Sequence, residues 1–261
     1  MAKRWLVAGS FLTDPWFYAV ALPAVTLFGL SKGGLGGIGL LSMPLMSLVV
    51  PPITAASIIL PVLMVQDVVT VWSWWRRWDR QLIAHLLPGA LAGVLIGWLT
   101  AKLVSDVHVR LMVGVISVAF GLNWMFGRGE ARPARPHDHL AGGLLGLIGG
   151  YTSFVIHVGG PPMNMYALPR KPDRDGFVGA YAIMFAIINF VKLPAYVGLG
   201  QMTVETLTLS AVLLPVAIAA NLAGVWLVRR LPTALFFRFV YAMTLVIGLK
   251  LVFDAVRELA R

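Results

Sequence analysis

Apolar and polar stretches alternate along the chain in blocks of roughly one helix. Six polar segments interrupt the apolar sequence, at 74–81, 101–110, 127–139, 169–176, 198–206 and 228–238. Six apolar segments of single-helix length accompany them, at 53–75, 82–103, 110–126, 177–197, 207–228 and 236–256. One bilayer crossing takes about 20 residues of helix, and no alternating pattern of about ten residues indicates a membrane β-barrel. The sequence therefore predicts an all-α polytopic membrane protein.

Two further apolar segments, 16–50 and 140–168, are too long for a single crossing. Each is interrupted near its middle by glycine, in "SKGGLGGIG" (31–39) and in "HVGGPP" (157–162). Non-helical backbone at membrane depth is tolerated only where it is buried in protein or lines a watery cavity. We therefore predict two re-entrant, broken helical hairpins, whose exposed backbone N–H groups could hold an anion near the bilayer midplane.

The two halves of the chain look like copies of one repeat. Four features recur in the same order, with partners separated by 123 to 128 residues. They pair Gly36-Gly37 with Gly159-Gly160, Asp67 with Lys192, Pro88 with Pro215, and Arg110 with Arg238. The recurrence divides the chain into a first membrane repeat (1–126), a cytoplasmic linker (127–139) and a second membrane repeat (140–261).

Basic residues give the expected orientation. The loops 76–80, 128–135, 170–174 and 229–238 hold three Lys or Arg each, twelve in all, against six in the remaining loops and ends. The positive-inside rule places these four loops in the cytoplasm, so segment 140–168 enters and leaves on the cytoplasmic side. Each repeat is then a hairpin plus three transmembrane helices. Because three is odd, the two repeats have inverted topology.

The composition agrees with this fold class. Hydrophobic residues make up 59% of the 261 residues and charged residues 12%, about half the charged fraction of a soluble domain. The chain has no cysteine, and its five histidines lack metal-ligand spacing, so we expect no metal site and no cofactor. The net charge of +10 is assigned to retention of loops at the cytoplasmic face, and nucleic acid is not expected as a partner.

The hairpins and the helices after them supply the candidate binding residues. An anion between the two tips would meet backbone N–H groups, lysines and polar side chains. The candidates are Lys32, Gly33, Gly34, Gly36, Gly37, His157, Gly159, Gly160, Asn164, Asn189 and Lys192. Each has an alternative role: Lys32 could snorkel to the interface, the glycines could permit tight helix packing, His157 could be a neutral packed side chain, and the asparagines could cap carbonyls.

Asp67 and Lys192 are charged residues inside apolar segments, at equivalent places in the two repeats. A charge at the bilayer centre is costly and calls for a partner or a water-filled path. We hypothesise that the two side chains form an ion pair that carries the coupling ion, with the proton as the candidate ion. In the alternative interpretation, Lys192 binds the anion itself.

At its glycine-rich elements the chain resembles the TauE/SafE family of sulfite and organosulfonate transporters. The resemblance lies in "SKGGLGGIGLLSMPL" (31–45) and "HVGGPPMNMY" (157–166), and the general layout covers nearly the whole chain. It implies a carrier in the cytoplasmic (inner) membrane for small sulfur oxyanions or sulfonates, often an exporter. "GGPP" differs from the more usual glycine triplet.

The expected function is therefore secondary transport of a small sulfur-containing anion, sulfite or an organosulfonate, and not enzymatic catalysis. No nucleotide-binding motif is visible in the sequence, so export coupled to an ion gradient, by alternating access, is the predicted mode. A passive anion channel is the first alternative. A membrane-embedded enzyme or assembly factor is the second.

Overall fold

The computed structural model describes residues 11–35, 38–46, 49–50, 52–100, 106–126, 138–200 and 202–259. Within these residues the fold is all-α, with ten α-helices and no strand. The helices are α1 (Pro15–Lys32), α2 (Ser42–Met46), α3 (Pro52–Ser73), α4 (Arg80–Thr100), α5 (Asp106–Phe126), α6 (His139–Ile156), α7 (Gly160–Ala167), α8 (Arg174–Gly198), α9 (Val204–Arg230) and α10 (Thr233–Leu259). Short 3₁₀ turns lie at Phe11–Thr13, Ile38–Leu41 and Leu168–Arg170.

The six predicted single-helix segments correspond to α3, α4, α5, α8, α9 and α10. Among the described residues, five helices are long and apolar enough to cross a membrane. They are Thr54–Ser73, Arg80–Thr100, Arg174–Gly198, Val204–Arg230 and Thr233–Leu259. The prediction of a multi-pass α-helical membrane protein is confirmed.

The two long apolar segments are broken where glycine interrupts them. Helix α1 ends at Lys32, and helical structure resumes at Ile38, while α6 ends at Ile156 and α7 begins at Gly160. Gly34 has φ 131, a backbone conformation that favours glycine because a Cβ would be strained there. Gly36 and Gly37 lie outside the described residues.

The chain forms two compact units. The first unit contains Met1–Ser73 and Leu193–Arg229, and the second contains Trp74–Lys192 and Arg230–Arg261. Each unit therefore contains segments from both halves of the sequence. The division into repeats at 1–126 and 140–261 describes a sequence relationship and stays a prediction, and residues 127–137 of the linker lie outside the described part of the chain.

In the first unit, α1, α3 and α9 pack around an apolar core. Phe17 and Phe28 of α1, Ile58 of α3 and Leu213 of α9 are among its buried members. Small residues let α1 approach α9 closely. A Cβ on Gly29 would fall on the backbone of α9 near Ala217 and Asn221, and a Cβ on Gly33 would fall on Asn221 and Gly224.

In the second unit, glycines bring α4 and α6 into backbone contact. A Cβ on Gly93 of α4 would meet the Leu147 carbonyl, and a Cβ on Gly150 of α6 would meet the Ala90 carbonyl. Helices α5 and α10 approach each other in the same way through Gly114 and Gly248. Such close approach gains dispersion contacts, which stabilise helix pairs in lipid, where the hydrophobic effect gives no driving force.

The two units contain corresponding helix contacts. Gly29 packs on Ala217 in the first unit, and Gly150 packs on Ala90 in the second. Ala90 and Ala217 are 127 residues apart, the same separation as Pro88 and Pro215. In each unit, then, the helix entering a glycine-rich break packs against a helix from the other half of the sequence. This exchange supports the predicted repeat, whose inverted orientation stays a prediction.

Helices α6 and α7 form a hairpin whose two ends lie beside His85 of α4. The His139 ring, at the start of α6, lies 4.2 Å from the His85 ring between centroids. The Tyr166 hydroxyl, near the end of α7, lies 2.6 Å from His85 Nδ1. The chain therefore returns to the end of the unit from which it entered, as expected for a re-entrant segment.

Three of the four basic loops meet in the second unit. Arg77 donates to the Asp175 carboxylate at 2.9 Å, and the Asp79 N–H donates to the Gly176 carbonyl at 3.0 Å. Arg174 donates to the Leu231 carbonyl at 2.8 Å. The loops before α4, α8 and α10 thus lie at one end of this unit, as their common basic character predicts.

Candidate functional site

A group of polar residues lies inside the first unit, where α1 ends. We call it the first polar cluster and define it as Lys32, Gln66, Asp67, Thr70 and Asn221. The Lys32 ammonium and the Asp67 carboxylate form an ion pair in which the Asp67 side chain is 0% exposed and that of Lys32 is 15% exposed. The last residue of α1 is thereby paired with a residue in the last third of α3.

Hydrogen bonds connect the rest of the first polar cluster. Thr70 donates to the Gln66 carbonyl at 2.7 Å, and Asn221 Nδ2 donates to the same carbonyl at 2.9 Å. Gln66 Nε2 donates to the Ala217 carbonyl at 3.0 Å, whereas Gln66 Oε1 is buried without a hydrogen-bond partner. Helix α9 is therefore joined to α3 by polar contacts at the level of the ion pair.

The second unit contains a second polar cluster, defined as Ser153, Asn189 and Lys192. The Lys192 side chain is one of the largest that are fully buried, with the residue 1% exposed. Its ammonium donates to the Ser153 carbonyl at 2.7 Å, to the Ser153 hydroxyl at 2.9 Å and to Asn189 Oδ1 at 3.3 Å. These three acceptors are neutral oxygens, so they solvate the positive charge without cancelling it.

The break between α6 and α7 adjoins this cluster along the chain. His157 ends α6 in the left-handed conformation, with φ 56, and its N–H donates to the Thr152 carbonyl. The Thr152 hydroxyl donates across the break to the Val158 carbonyl at 2.7 Å. The left-handed turn at His157 and the Thr152 hydroxyl therefore fix the geometry of the break, which supports a structural role for His157 beside its predicted role in binding.

The glycines of the two breaks differ in their surroundings. A Cβ on Gly159 would meet the Gly149 carbonyl at 2.8 Å and the Ser153 Cβ at 2.9 Å, whereas a Cβ on Gly160 would meet nothing within 4 Å. Gly160 is therefore the described position where a ligand could approach the backbone. Gly33 instead packs on α9, as the alternative of tight helix packing anticipates.

Prolines limit the backbone donors at the start of α7. The helix begins at Gly160, and Pro161 and Pro162 follow it, so two residues of its first turn have no N–H group. An anion at this helix end would meet fewer backbone donors than the sequence analysis assumed. The nearby ammonium of the second polar cluster becomes correspondingly more important.

Asn164 occupies the buried face of α7. Its Nδ2 donates to the Thr244 hydroxyl of α10 at 3.2 Å, while its Oδ1 is buried without a hydrogen-bond partner. An unsatisfied buried acceptor costs about 1 to 3 kcal/mol. A bound water or a protonated ligand group would satisfy this one.

The structure assigns partners to the two charges that the sequence analysis expected to pair with each other. Asp67 forms its ion pair with Lys32, and Lys192 donates to Ser153 and Asn189. A contact between Asp67 and Lys192 stays a prediction. In the described part of the chain, no group of three or more His, Asp or Glu residues could hold a metal ion.

Several polar residues of the two clusters and of the break between α6 and α7 were not predicted from the sequence. These are Gln66, Thr70, Thr152, Ser153 and Asn221, all buried in apolar helices. A serine or threonine inside an apolar helix gives little indication of a site, because its hydroxyl often bonds only to the preceding turn. A cross-helix bond such as that from Asn221 to Gln66 becomes visible only once α9 packs on α3.

Apolar spanning helices, broken hairpins and buried cationic side chains together define a multi-pass membrane protein of the transporter class. The family model described as "Sulfite exporter TauE/SafE" matches residues 21–251. The chain therefore belongs to the TauE/SafE sulfite exporter family, as its glycine-rich motifs predicted. The comparison with curated proteins found no match, and the comparison with solved structures found none either.

Proposed function

We propose that this protein carries a small sulfur-containing anion, sulfite or an organosulfonate, across the cytoplasmic membrane by ion-coupled alternating access. Membership of a family described as sulfite exporters supports the class of substrate. The observation that carries the proposal is the buried Lys192 ammonium, held by neutral oxygens of Ser153 and Asn189. The substrate anion is the group that its charge would bind.

The energetics of this ammonium support a role in binding. A lysine at the centre of a membrane helix costs about 2.5 to 3.5 kcal/mol on insertion scales. Each hydrogen bond to a charged group contributes about 1.5 to 3 kcal/mol of stability. The hydrogen bonds of Lys192 therefore offset the cost of burying its ammonium in α8. A small anion would be attracted to this ammonium in surroundings of low dielectric constant.

The adjoining break supplies the access that such an anion needs. Gly160 has open space where a side chain would lie, and non-helical backbone inside a membrane protein is tolerated where it lines a cavity. We propose that the anion enters beside Gly160 and contacts Lys192, and that Asn164 Oδ1 accepts a hydrogen bond from a water next to the anion. His157, Gly159 and Asn189 then position the binding groups.

The test is transport in proteoliposomes that contain the purified protein. Sulfite, sulfate, a short alkylsulfonate and a carboxylate of similar size are compared as substrates, first in exchange across the membrane and then against a concentration gradient. We expect exchange of sulfite or the sulfonate, and accumulation when a proton gradient is imposed. Transport of none of the sulfur oxyanions overturns the proposal. Downhill flux without accumulation under any ion gradient identifies a passive anion channel.

A matched pair of lysine variants locates the binding group. Lys192→Met should abolish exchange, because the buried charge is lost while the aliphatic stem is retained. Lys250→Met is the control, since Lys250 is a lysine of α10 whose partner is Asp254 at the helical i,i+4 position and whose side chain is 31% exposed. If both variants transport the anion as the wild type does, the anion does not bind at Lys192.

A further inference from the structure

The ion pair of the first polar cluster has no net charge. Lys32 contributes one positive charge and Asp67 one negative charge, and the Asp67 side chain is fully buried. As long as both are ionised, the Lys32 charge is compensated by a carboxylate that belongs to the protein. An anion from solution would have to compete with that carboxylate.

The helices packed against α3 determine which charged groups lie near Asp67. Helix α1 brings Lys32 to Asp67, and α2 has the sequence SMPLM, without an ionisable residue. Helix α9 contacts α3 through Ser210, Ala217 and Asn221. Its Arg229 donates to the Ser73 carbonyl at the end of α3, six residues after Asp67. Protonation of Asp67 would therefore act first on Lys32.

We propose that Asp67 is a proton-binding residue and that its protonation makes Lys32 an anion site. A proton from the aqueous side bonds to a carboxylate oxygen of Asp67, which becomes a neutral acid, while Lys32 stays an ammonium. The net charge of the pair rises from zero to one positive charge. One anionic charge bound to Lys32 then restores neutrality, which a buried site strongly favours.

The surroundings are suited to this exchange. Gln66 is next to Asp67 in the chain, and its buried Oε1 has no hydrogen-bond partner. This oxygen could accept a hydrogen bond from a water that delivers the proton. Thr70 contacts the Lys32 carbonyl at 3.3 Å, at the end of α1. The ion pair is therefore placed where loss of the carboxylate charge would release the ammonium at the glycine-rich break.

The repeat relationship gives the second argument. The position equivalent to Asp67 in the other half is Lys192, whose described acceptors are neutral. In the described contacts, the lysine of one cluster is held by neutral oxygens, and the lysine of the other is held by a carboxylate. This inference rests on the proposed transport of a small anion and adds to it the residue that couples the anion to protons.

Proton uptake on anion binding tests the inference directly. The detergent-purified protein is titrated calorimetrically with an alkylsulfonate, whose own charge is constant across the neutral pH range, in buffers of different ionisation enthalpy. At a pH where Asp67 is ionised, we expect the wild type to take up about one proton per chain at saturation. The affinity of this proton-linked phase should fall about tenfold per pH unit in that range. Asp67→Asn, which resembles the protonated acid, should bind the sulfonate without taking up protons.

Two further variants keep the test decisive. Asp254→Asn removes the carboxylate that pairs with Lys250 in α10 and should take up protons as the wild type does. The double variant Lys32→Met/Asp67→Asn replaces the ion pair by two neutral side chains, so it leaves no stranded charge from this pair in the interior. It should take up no protons, and it can be tested even if Asp67→Asn alone fails to fold.

The outcomes separate this inference from the function on which it rests. Sulfonate binding by the wild type without proton uptake overturns the inference and leaves anion transport standing. Proton uptake that persists in Asp67→Asn or in the double variant overturns it as well. Binding that requires Na⁺ and takes up no proton also overturns it, in favour of a sodium-coupled carrier. If no sulfur oxyanion binds at all, the transport function falls together with the inference.

Discussion

Lys192 Nζ lies 2.7 Å from the main-chain carbonyl oxygen of Ser153, so a helix after the second break is hydrogen-bonded to the helix that enters it. The Ser153 hydroxyl and Asn189 complete the contacts of the ammonium. In these described contacts, a buried charge is held next to irregular backbone by neutral oxygens. The following predictions test this arrangement and its counterpart in the first unit.

The first prediction concerns Ser153. Ser153→Ala removes the hydroxyl acceptor of Lys192 and leaves the carbonyl in place, so we expect a loss of about 1.5 to 3 kcal/mol of stability and weaker anion binding. Thermal unfolding in detergent, with and without sulfite, measures both. Thr208→Ala is the control, because this exposed hydroxyl bonds only to the preceding turn of α9 in its described contact. Unchanged stability in Ser153→Ala would mean that the hydroxyl does not support the ammonium.

The second prediction concerns the open space above Gly160. Gly160→Leu should leave the protein folded, because a Cβ there meets nothing within 4 Å, and should abolish transport by filling the route of the anion. Gly198→Leu is the matched control, since Gly198 is equally open and lies at the end of α8. Flux of labelled sulfite into proteoliposomes gives the readout. Normal flux in Gly160→Leu would show that this break does not lie on the anion pathway.

The third prediction concerns the backbone contact between α4 and α6. Gly150→Ala places a methyl group on the Ala90 carbonyl and should destabilise the protein by about 1 to 3 kcal/mol or more, because the helices must separate. Gly143→Ala, in the same helix, meets nothing within 4 Å and should be tolerated. Denaturation in mixed micelles compares the two. Equal stability would show that the helices can move apart without cost.

The fourth prediction is the membrane topology. Loops 127–139 and 169–176 should both face the cytoplasm, since both are basic and the α6–α7 hairpin returns to its starting end beside His85. Single cysteines replace Arg132 or Asp173 in this cysteine-free chain, and an impermeant maleimide is applied to intact cells. Protection of both positions is expected. External labelling of only one would mean that segment 140–168 crosses the membrane once.

The fifth prediction concerns the charge pairs. Removing one partner of a buried ion pair typically costs about 3 to 5 kcal/mol, because the other charge is stranded. Lys32→Met and Asp67→Asn should therefore each be more harmful than the double variant. A double-mutant cycle in thermal stability measures this coupling, and a second cycle with Asp67→Asn and Lys192→Gln tests the pair expected from the repeat. Strict additivity in the first cycle would contradict the ion pair with Lys32.

The fold class and the approximate positions of the breaks follow from local composition. Runs of apolar residues long enough to cross a bilayer can satisfy their backbone only as helices, so helix number and boundaries follow from local composition. The helices α3, α8 and α9 accordingly lie where the polar loops predicted them. The breaks lie at glycine-rich positions, because glycine weakens a helix, although Gly149-Gly150 lies inside the unbroken helix α6.

Which helices pack together and which charged side chains meet depends on long-range packing. The contacts of Gly29 with Ala217 and of Lys32 with Asp67 join residues that are distant along the chain. Hydropathy does not indicate which helices pair, because every apolar helix face is equally stable in contact with lipid. Helix packing depends instead on shape and on rare polar groups. The ion pair of Asp67 with Lys32 forms because α1 packs against α3, and a contact of Asp67 with Lys192 stays a prediction.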